Sequence, residues 1–170
     1  MAALKKALDD ARGQGKRITP RGSDAARRNY SGTVELWKSR VEPGLVHWTG
    51  KGRITKGEAD RIRGLSPFDQ VPEIFRLEEQ GIFFAKDLSK SIIYSVAPPG
   101  TSQHLSLLAL DVEEHNDRTV RALLAKHGWY QTVVSDLPHF TFLGVSESEL
   151  SSLGLKKTSD GGRDYWLPAL

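Results

Sequence analysis

Leu107-Leu108-Ala109-Leu110-Asp111-Val112 and, further on, Phe140-Thr141-Phe142-Leu143 are short apolar runs of strand length, and they decide the fold. Around them, Ser91-Ile92-Ile93-Tyr94-Ser95-Val96 is strand-like and broken by Pro98-Pro99-Gly100, and Tyr130 to Val134 reads as another strand. Gly161-Gly162 has the form of a hairpin turn leading into Asp164-Tyr165-Trp166-Leu167. Between the strands, Asn116 or Asp117 caps a helix that turns Val120, Leu123 and Leu124 inward and closes at Gly128. Ser146 to Glu149 has the spacing of a capping box, opening a short helix to about Leu153.

The first half of the chain is helical in pattern. Leu4, Leu8 and Ala11 share one side of a helix over 2–12, stopped by Gly13. Arg17-Ile18-Thr19 reads as a short strand entering the turn Pro20-Arg21-Gly22. With Ser23 as N-cap, Ala26, Tyr30, Val34, Trp37 and Val41 recur at helical spacing up to Pro43-Gly44. Thr55 with Glu58 predicts a capped helix to about Arg63, and Pro72 opens another that ends at Gly81. Helices first and strands later predict an α+β fold, with helices packed on a small antiparallel sheet.

The 170 residues suit one domain, 1–170, within which 43–90 stands as a helical insertion carrying no evident chemistry. There is no Cys, which excludes disulfides and Cys-ligated metal. No apolar run is long enough for a transmembrane helix. Met1-Ala2-Ala3-Leu4-Lys5-Lys6 lacks a secretory signal, so the expected location is the bacterial cell envelope if a signal has been trimmed, and otherwise the cytoplasm before lysis. Positions 1–63 hold 15 Lys and Arg against 7 Asp and Glu, whereas 64–170 hold 9 against 14. A basic first third suits an anionic wall polymer, nucleic acid or an acidic membrane, or simply solvated helix faces. No recognised nucleic-acid motif accompanies it, so nucleic acid is not the expected partner.

Two of the five histidines keep unusual company. His104 precedes Asp111 by seven residues, and His139 follows Asp136 by three. Two imidazoles and one carboxylate form a common ligand set for catalytic zinc, leaving a fourth position for water. Side chains alternate along a strand, so an odd separation would send His104 and Asp111 to opposite faces. The two converge only if His104 sits on the loop after Pro98-Pro99-Gly100-Thr101 and the chain bends before Leu107. On the second segment, His139 and Thr141 share one face while Phe140 and Phe142 can enter the core. Asp136, in the turn stiffened by Pro138, is placed to accept a proton from water. Each residue also has a structural reading: a histidine hydrogen-bonded in the core, and an aspartate capping a turn. His127 reads as a structural cation at a helix end. His115 and His47 read as loop residues, and Trp129 and Tyr94 as cleft walls or core.

The ordered set Ser102-Gln103-His104, Asp111, His127-Gly128-Trp129, Asp136-Leu137-Pro138-His139 and Gly144 resembles the zinc D-alanyl-D-alanine carboxypeptidases and their relatives, the L-alanyl-D-glutamate endopeptidases of phage lysins. The strong part of the resemblance covers about 94–144, and a weaker part runs from Ala7 to Tyr30. The resemblance implies a peptidoglycan peptidase that cleaves a stem peptide at a bond next to a D-residue. His104, Asp111 and His139 would bind Zn²⁺, Asp136 would be the general base, Arg21 would steady the substrate carbonyl or carboxylate, and Ser102 would bond substrate backbone. Three positions depart from the family pattern. Leu107 stands for the usual Gly, Asp136 for the commoner Glu, and the turn Pro20-Arg21-Gly22-Ser23 is offset by one, with Gly22 in the strict position. The alternative is a zinc-containing, non-catalytic wall-binding module.

Overall fold

The computed structural model describes residues 2–169 and has the expected α+β architecture. Its elements are helices α1 (Ala2–Gly13), α2 (Tyr30–Gly50), α3 (Lys56–Arg63), α4 (Pro67–Glu78) and α5 (Arg118–Lys126), and strands β1 (Ala109–Asp111), β2 (Trp129–Tyr130), β3 (His139–Phe142), β4 (Leu155–Asp160) and β5 (Arg163–Pro168). The chain divides into two compact units, Met1–Arg28 together with Ser106–Leu170, and Asn29–Leu105. The second unit extends beyond the expected insertion, 43–90, at both ends. No helix among the described residues is long and apolar enough to cross a membrane.

In the first unit, Ala7 and Ala11 of α1 and Val120, Leu123 and Leu124 of α5 share a core with Leu110, Val112 and Phe140. The Asp117 side chain accepts from the Thr119 and Val120 N–H groups at the start of α5, as expected of an N-cap. Three strands form an antiparallel sheet in the order β1-β3-β2. Residues 17–19 form no strand of their own, but the chain just beyond runs along β1: Pro20 bridges Val112, and the Arg21 N–H donates to the Asp111 carbonyl at 2.8 Å. The expected strand 130–134 ends at Tyr130, because the Gln131 carbonyl instead accepts from Trp166 on β5. Ser146 and Glu149 make both halves of the capping box, on a 3-10 helix, Glu147–Leu153. Gly161 and Gly162 both take positive φ, which closes the β4–β5 hairpin as a tight two-residue turn.

The second unit is helical, and here three sequence boundaries are corrected. Helix α2 starts at Tyr30 with Asn29 as cap, not at Ser23, since the Ala25 carbonyl is engaged by the Asp111 N–H. It also runs through Pro43 to Gly50. The Ser39 carbonyl that Pro43 cannot serve takes Arg40 Nη1 at 3.4 Å. Gly44 lets the Phe84 ring press against the helix; a Cβ there would lie 2.3 Å from Phe84 Cδ1. Helix α4 starts at Pro67, not Pro72, because Ser66 caps it and accepts from the Asp69 N–H. Ser91–Val96 is not a strand but a 3-10 turn, Ile92–Tyr94. The buried Glu78 carboxylate takes the Ile92 N–H at 2.7 Å and the Phe84 N–H at 3.1 Å, removing donors a neighbouring strand would need. Trp37 lies in the core of this unit, its Nε1 donating to Gln70 Oε1.

Candidate metal centre

Sheet register explains half of the site. Asp111 and His139 are directly opposed in the β1–β3 pair, so their side chains leave the same face of the sheet. Leu110 and Phe140, one residue along, face the core. Asp111 Oδ1 and His139 Nδ1 lie 3.2 Å apart. Thr141, two residues on and hence on the same face, has its Oγ1 3.5 Å from His139 Nε2 and 2.6 Å from Thr132 Oγ1.

The other half is the bend required by the odd spacing. Pro98–Thr101 turns, with the Thr101 N–H on the Pro98 carbonyl and Gly100 at φ 87°. His104 follows on a 3-10 turn, Gln103–Leu105, and is buried. Leu107 then takes φ 61°, the left-handed region, before β1 begins. The strand alternation is broken where the sequence demands it. His104, Asp111 and His139 consequently offer ligand atoms that all lie within 4.8 Å of one another.

This group can bind a metal ion. Two imidazole nitrogens, which are borderline donors, and a carboxylate oxygen, a hard one, form a set that zinc accepts. Tetrahedral bonds of about 2.0–2.1 Å set ligand atoms about 3.3 Å apart, close to the 3.2 Å between Asp111 and His139. The 4.8 Å bound leaves at most about 1.5 Å for the ligand atoms to close on binding.

A cleft of about 460 Å³ opens within the first unit, lined among others by Arg21, Asp111, His115, Ser135 and Asp136. Asp111 thus belongs to both the metal-binding group and the cleft. Asp136 reaches the rim on a tight turn, where the His139 N–H donates to the Asp136 carbonyl at 3.1 Å and Gln131 Nε2 donates to the Leu137 carbonyl at 2.6 Å. Arg21 is placed by its neighbours: Glu114 accepts from both the Thr19 N–H and Thr19 Oγ1, pinning the segment two residues upstream. Burial pushes the Glu114 carboxyl up, but the Thr19 hydrogen bonds outweigh it and hold the group below its ordinary value. Gly22 has φ 90°, left-handed backbone that favours glycine, and Arg21 is the side chain at the cleft.

The remaining expectations sort by contact. Ser102 is buried, its carbonyl accepting from the Leu105 N–H, and it is not among the residues lining the cleft. Trp129 is buried against Phe142, a core role, whereas Tyr94 is exposed beneath Lys90. His127 is structural, bonded to Asp10 at 2.9 Å. That bond and Lys126, the larger influence, hold the Asp10 carboxyl below its ordinary value. His115 and Ser135 line the cleft although the sequence marks neither. The one available signal for His115 is its position just after the strand that carries Asp111. Comparison with protein-family models, curated proteins and solved structures returns no match to this chain.

Proposed function

We propose that the protein is a zinc-dependent peptidase that cleaves peptidoglycan stem peptides at a bond next to a D-amino acid, and so acts on the bacterial cell wall. The observation that carries this reading is the meeting of His104, Asp111 and His139 beside a cleft that also holds Asp136 and Arg21. The resemblance of the same residues, in order and spacing, to zinc D-alanyl-D-alanine carboxypeptidases supplies the substrate class. A zinc ion held by the three ligands supplies Lewis acidity, making water a nucleophile near pH 7 and polarising the scissile carbonyl.

The chain's own groups do the rest. The Asp136 carboxylate takes the proton from the attacking water and returns it to the leaving amine. Arg21 donates to the oxygen that gains charge as the carbonyl becomes tetrahedral, a contribution of about 3 kcal/mol for one such donor. The ion pair of Arg21 with Glu113 is loose, 3.9 Å on an exposed surface, so it yields to substrate at little cost.

The test joins metal analysis to mass spectrometry of digested wall fragments. One zinc per chain and new amine or released D-alanine are expected from the parent protein. Asp136→Asn keeps the zinc and lowers turnover by about 100- to 10,000-fold. Turnover near the parent level in that variant removes Asp136 from its role. Zinc and wall binding with no cleavage by the parent would make the protein a binding module instead.

A further inference from the structure

The cleft contains one titratable group that the proposed reaction does not use. His115 sits on the 3-10 turn Glu113–Asn116, immediately after the strand that supplies Asp111. Its ring is buried, at 8% exposure, yet it lines the cleft with Arg21 and Asp136. It stands outside the metal-binding group, which comprises His104, Asp111 and His139.

The ring is fixed in both position and tautomer. His115 Nδ1 lies 3.0 Å from the Val112 carbonyl oxygen. A carbonyl only accepts, so Nδ1 carries the hydrogen and the neutral ring presents Nε2 as a bare acceptor. Among the described residues, no hydrogen bond engages Nε2. The turn beneath the ring is clamped from two sides. Its His115 carbonyl accepts from Arg121 Nη1 at 3.1 Å and from Arg163 Nη1 at 2.8 Å. The Asn116 carbonyl takes Arg121 as well, and the Asn116 side chain takes Arg163. Two guanidiniums from α5 and β5 thus hold a four-residue turn whose own backbone bonding is slight, keeping the imidazole edge in a set orientation.

We infer that His115 is a substrate-binding residue whose Nε2 accepts a hydrogen bond from a backbone amide N–H of the bound peptide. A peptide chain brings carbonyls and N–H groups in alternation. Arg21 answers the carbonyls, and Asp136 is committed to proton transfer. The N–H beside the scissile bond needs an acceptor, and His115 Nε2 is the acceptor held in place for it. This inference rests on the peptidase reading and adds the group that sets peptide position.

The experiment is steady-state kinetics with a stem peptide and two analogues, in which each amide flanking the cleaved bond is N-methylated in turn. His115→Asn retains a donor near the Nδ1 position for Val112 but removes the edge that faces the cleft. It is expected to raise KM about three- to tenfold, with kcat, zinc content and melting temperature unchanged. One of the two N-methyl peptides should lose that same factor with the parent protein and lose nothing further with the variant. His115→Gln, whose Oε1 can accept at the outer position, should recover part of the loss. An unchanged KM in His115→Asn, or a loss confined to zinc content or melting temperature in both variants, overturns the inference while leaving the peptidase reading intact. A parent protein that cleaves no stem peptide overturns both.

Discussion

The helical unit, Asn29–Leu105, and the sheet segment of the other unit, from Ala109 to Phe142, are built on opposite economies. The helical unit spends its large apolar side chains on itself: Trp37, Leu45, Ile62, Ile74 and Phe84 are fully buried, and its buried Gln70 and Glu78 are spent on internal hydrogen bonds. The sheet segment has strands of two to four residues, and its face carrying Asp111, His139 and Thr141 is polar. Short strands with one polar face bury little apolar area, so this segment depends on α1 and α5 for its core. What it gains is a register that opposes an aspartate to a histidine. The lesson is that packing and chemistry are carried by different stretches, and substitutions should separate them.

The largest separation is expected between His139→Ala and Gly44→Ala. If the proposed zinc site is right, removing His139 should cost more zinc affinity than the roughly 10- to 100-fold typical of a supporting residue, while the far-ultraviolet helical signal stays at the parent level. Gly44→Ala forces a methyl against the Phe84 ring and should destabilise the protein by about 1–3 kcal/mol. The zinc affinity of the folded protein should not move. Calorimetric zinc titration and urea unfolding of both variants check this, and equal losses of zinc affinity would break the distinction.

A middle-sized effect concerns acid. The folded-state pKa of Glu114 is held below the ordinary 4.5. Its contribution to stability is therefore complete above that value and is lost as pH falls through the lower folded value. Glu114→Gln should cost about 1 kcal/mol at pH 7 and progressively less on acidification, flattening the acid limb of the stability curve. Unfolding measured from pH 7 down to pH 3 reads this directly. A constant difference across that range would mean that the Thr19 hydrogen bonds do not depend on the charge.

How much of this was legible in advance follows from the range of the interactions. Helix α5 could be read end to end because its signals are local: Asp117 at the cap, Val120, Leu123 and Leu124 at helical spacing, and Gly128 with φ 80° just beyond it. The end of α2 could not, because Pro43 is a local stop signal overridden by the packing of Gly44 against Phe84, far along the chain. Ser91–Val96 misled for a related reason: an apolar run reads as strand unless one knows that Glu78 will take its N–H groups. In the site, the spacing of His104, Asp111 and His139, together with the required bend, was legible because alternation and turn residues are local rules. The placement of Arg21 was less so, since it depends on Pro20 bridging Val112. His115 was invisible, because its value lies in a cleft and in the clamp by Arg121 and Arg163, neither of which leaves a pattern in the sequence.

The smallest expected effect sharpens the comparison most. Among the described residues, two that are not glycine take left-handed backbone, one in each unit: Leu88 at φ 58° and Leu107 at φ 61°. A left-handed L-residue costs about 1–2 kcal/mol, and replacing it with Gly relieves that strain while adding about 0.4–1 kcal/mol of freedom to the unfolded chain. Leu88→Gly and Leu107→Gly should therefore each stabilise by under about 1 kcal/mol. Leu107 is 53% exposed, so little burial is lost in making the change. Zinc affinity should distinguish the two. Leu107 is the bend between His104 and Asp111, and a glycine there gives the metal-free segment more states to lose on binding. A two- to threefold weaker zinc affinity is expected for Leu107→Gly, and none for Leu88→Gly. Should both substitutions stabilise equally and neither touch zinc, the left-handed leucine would be incidental, and the turn at Gln103–Leu105 would alone set the position of His104.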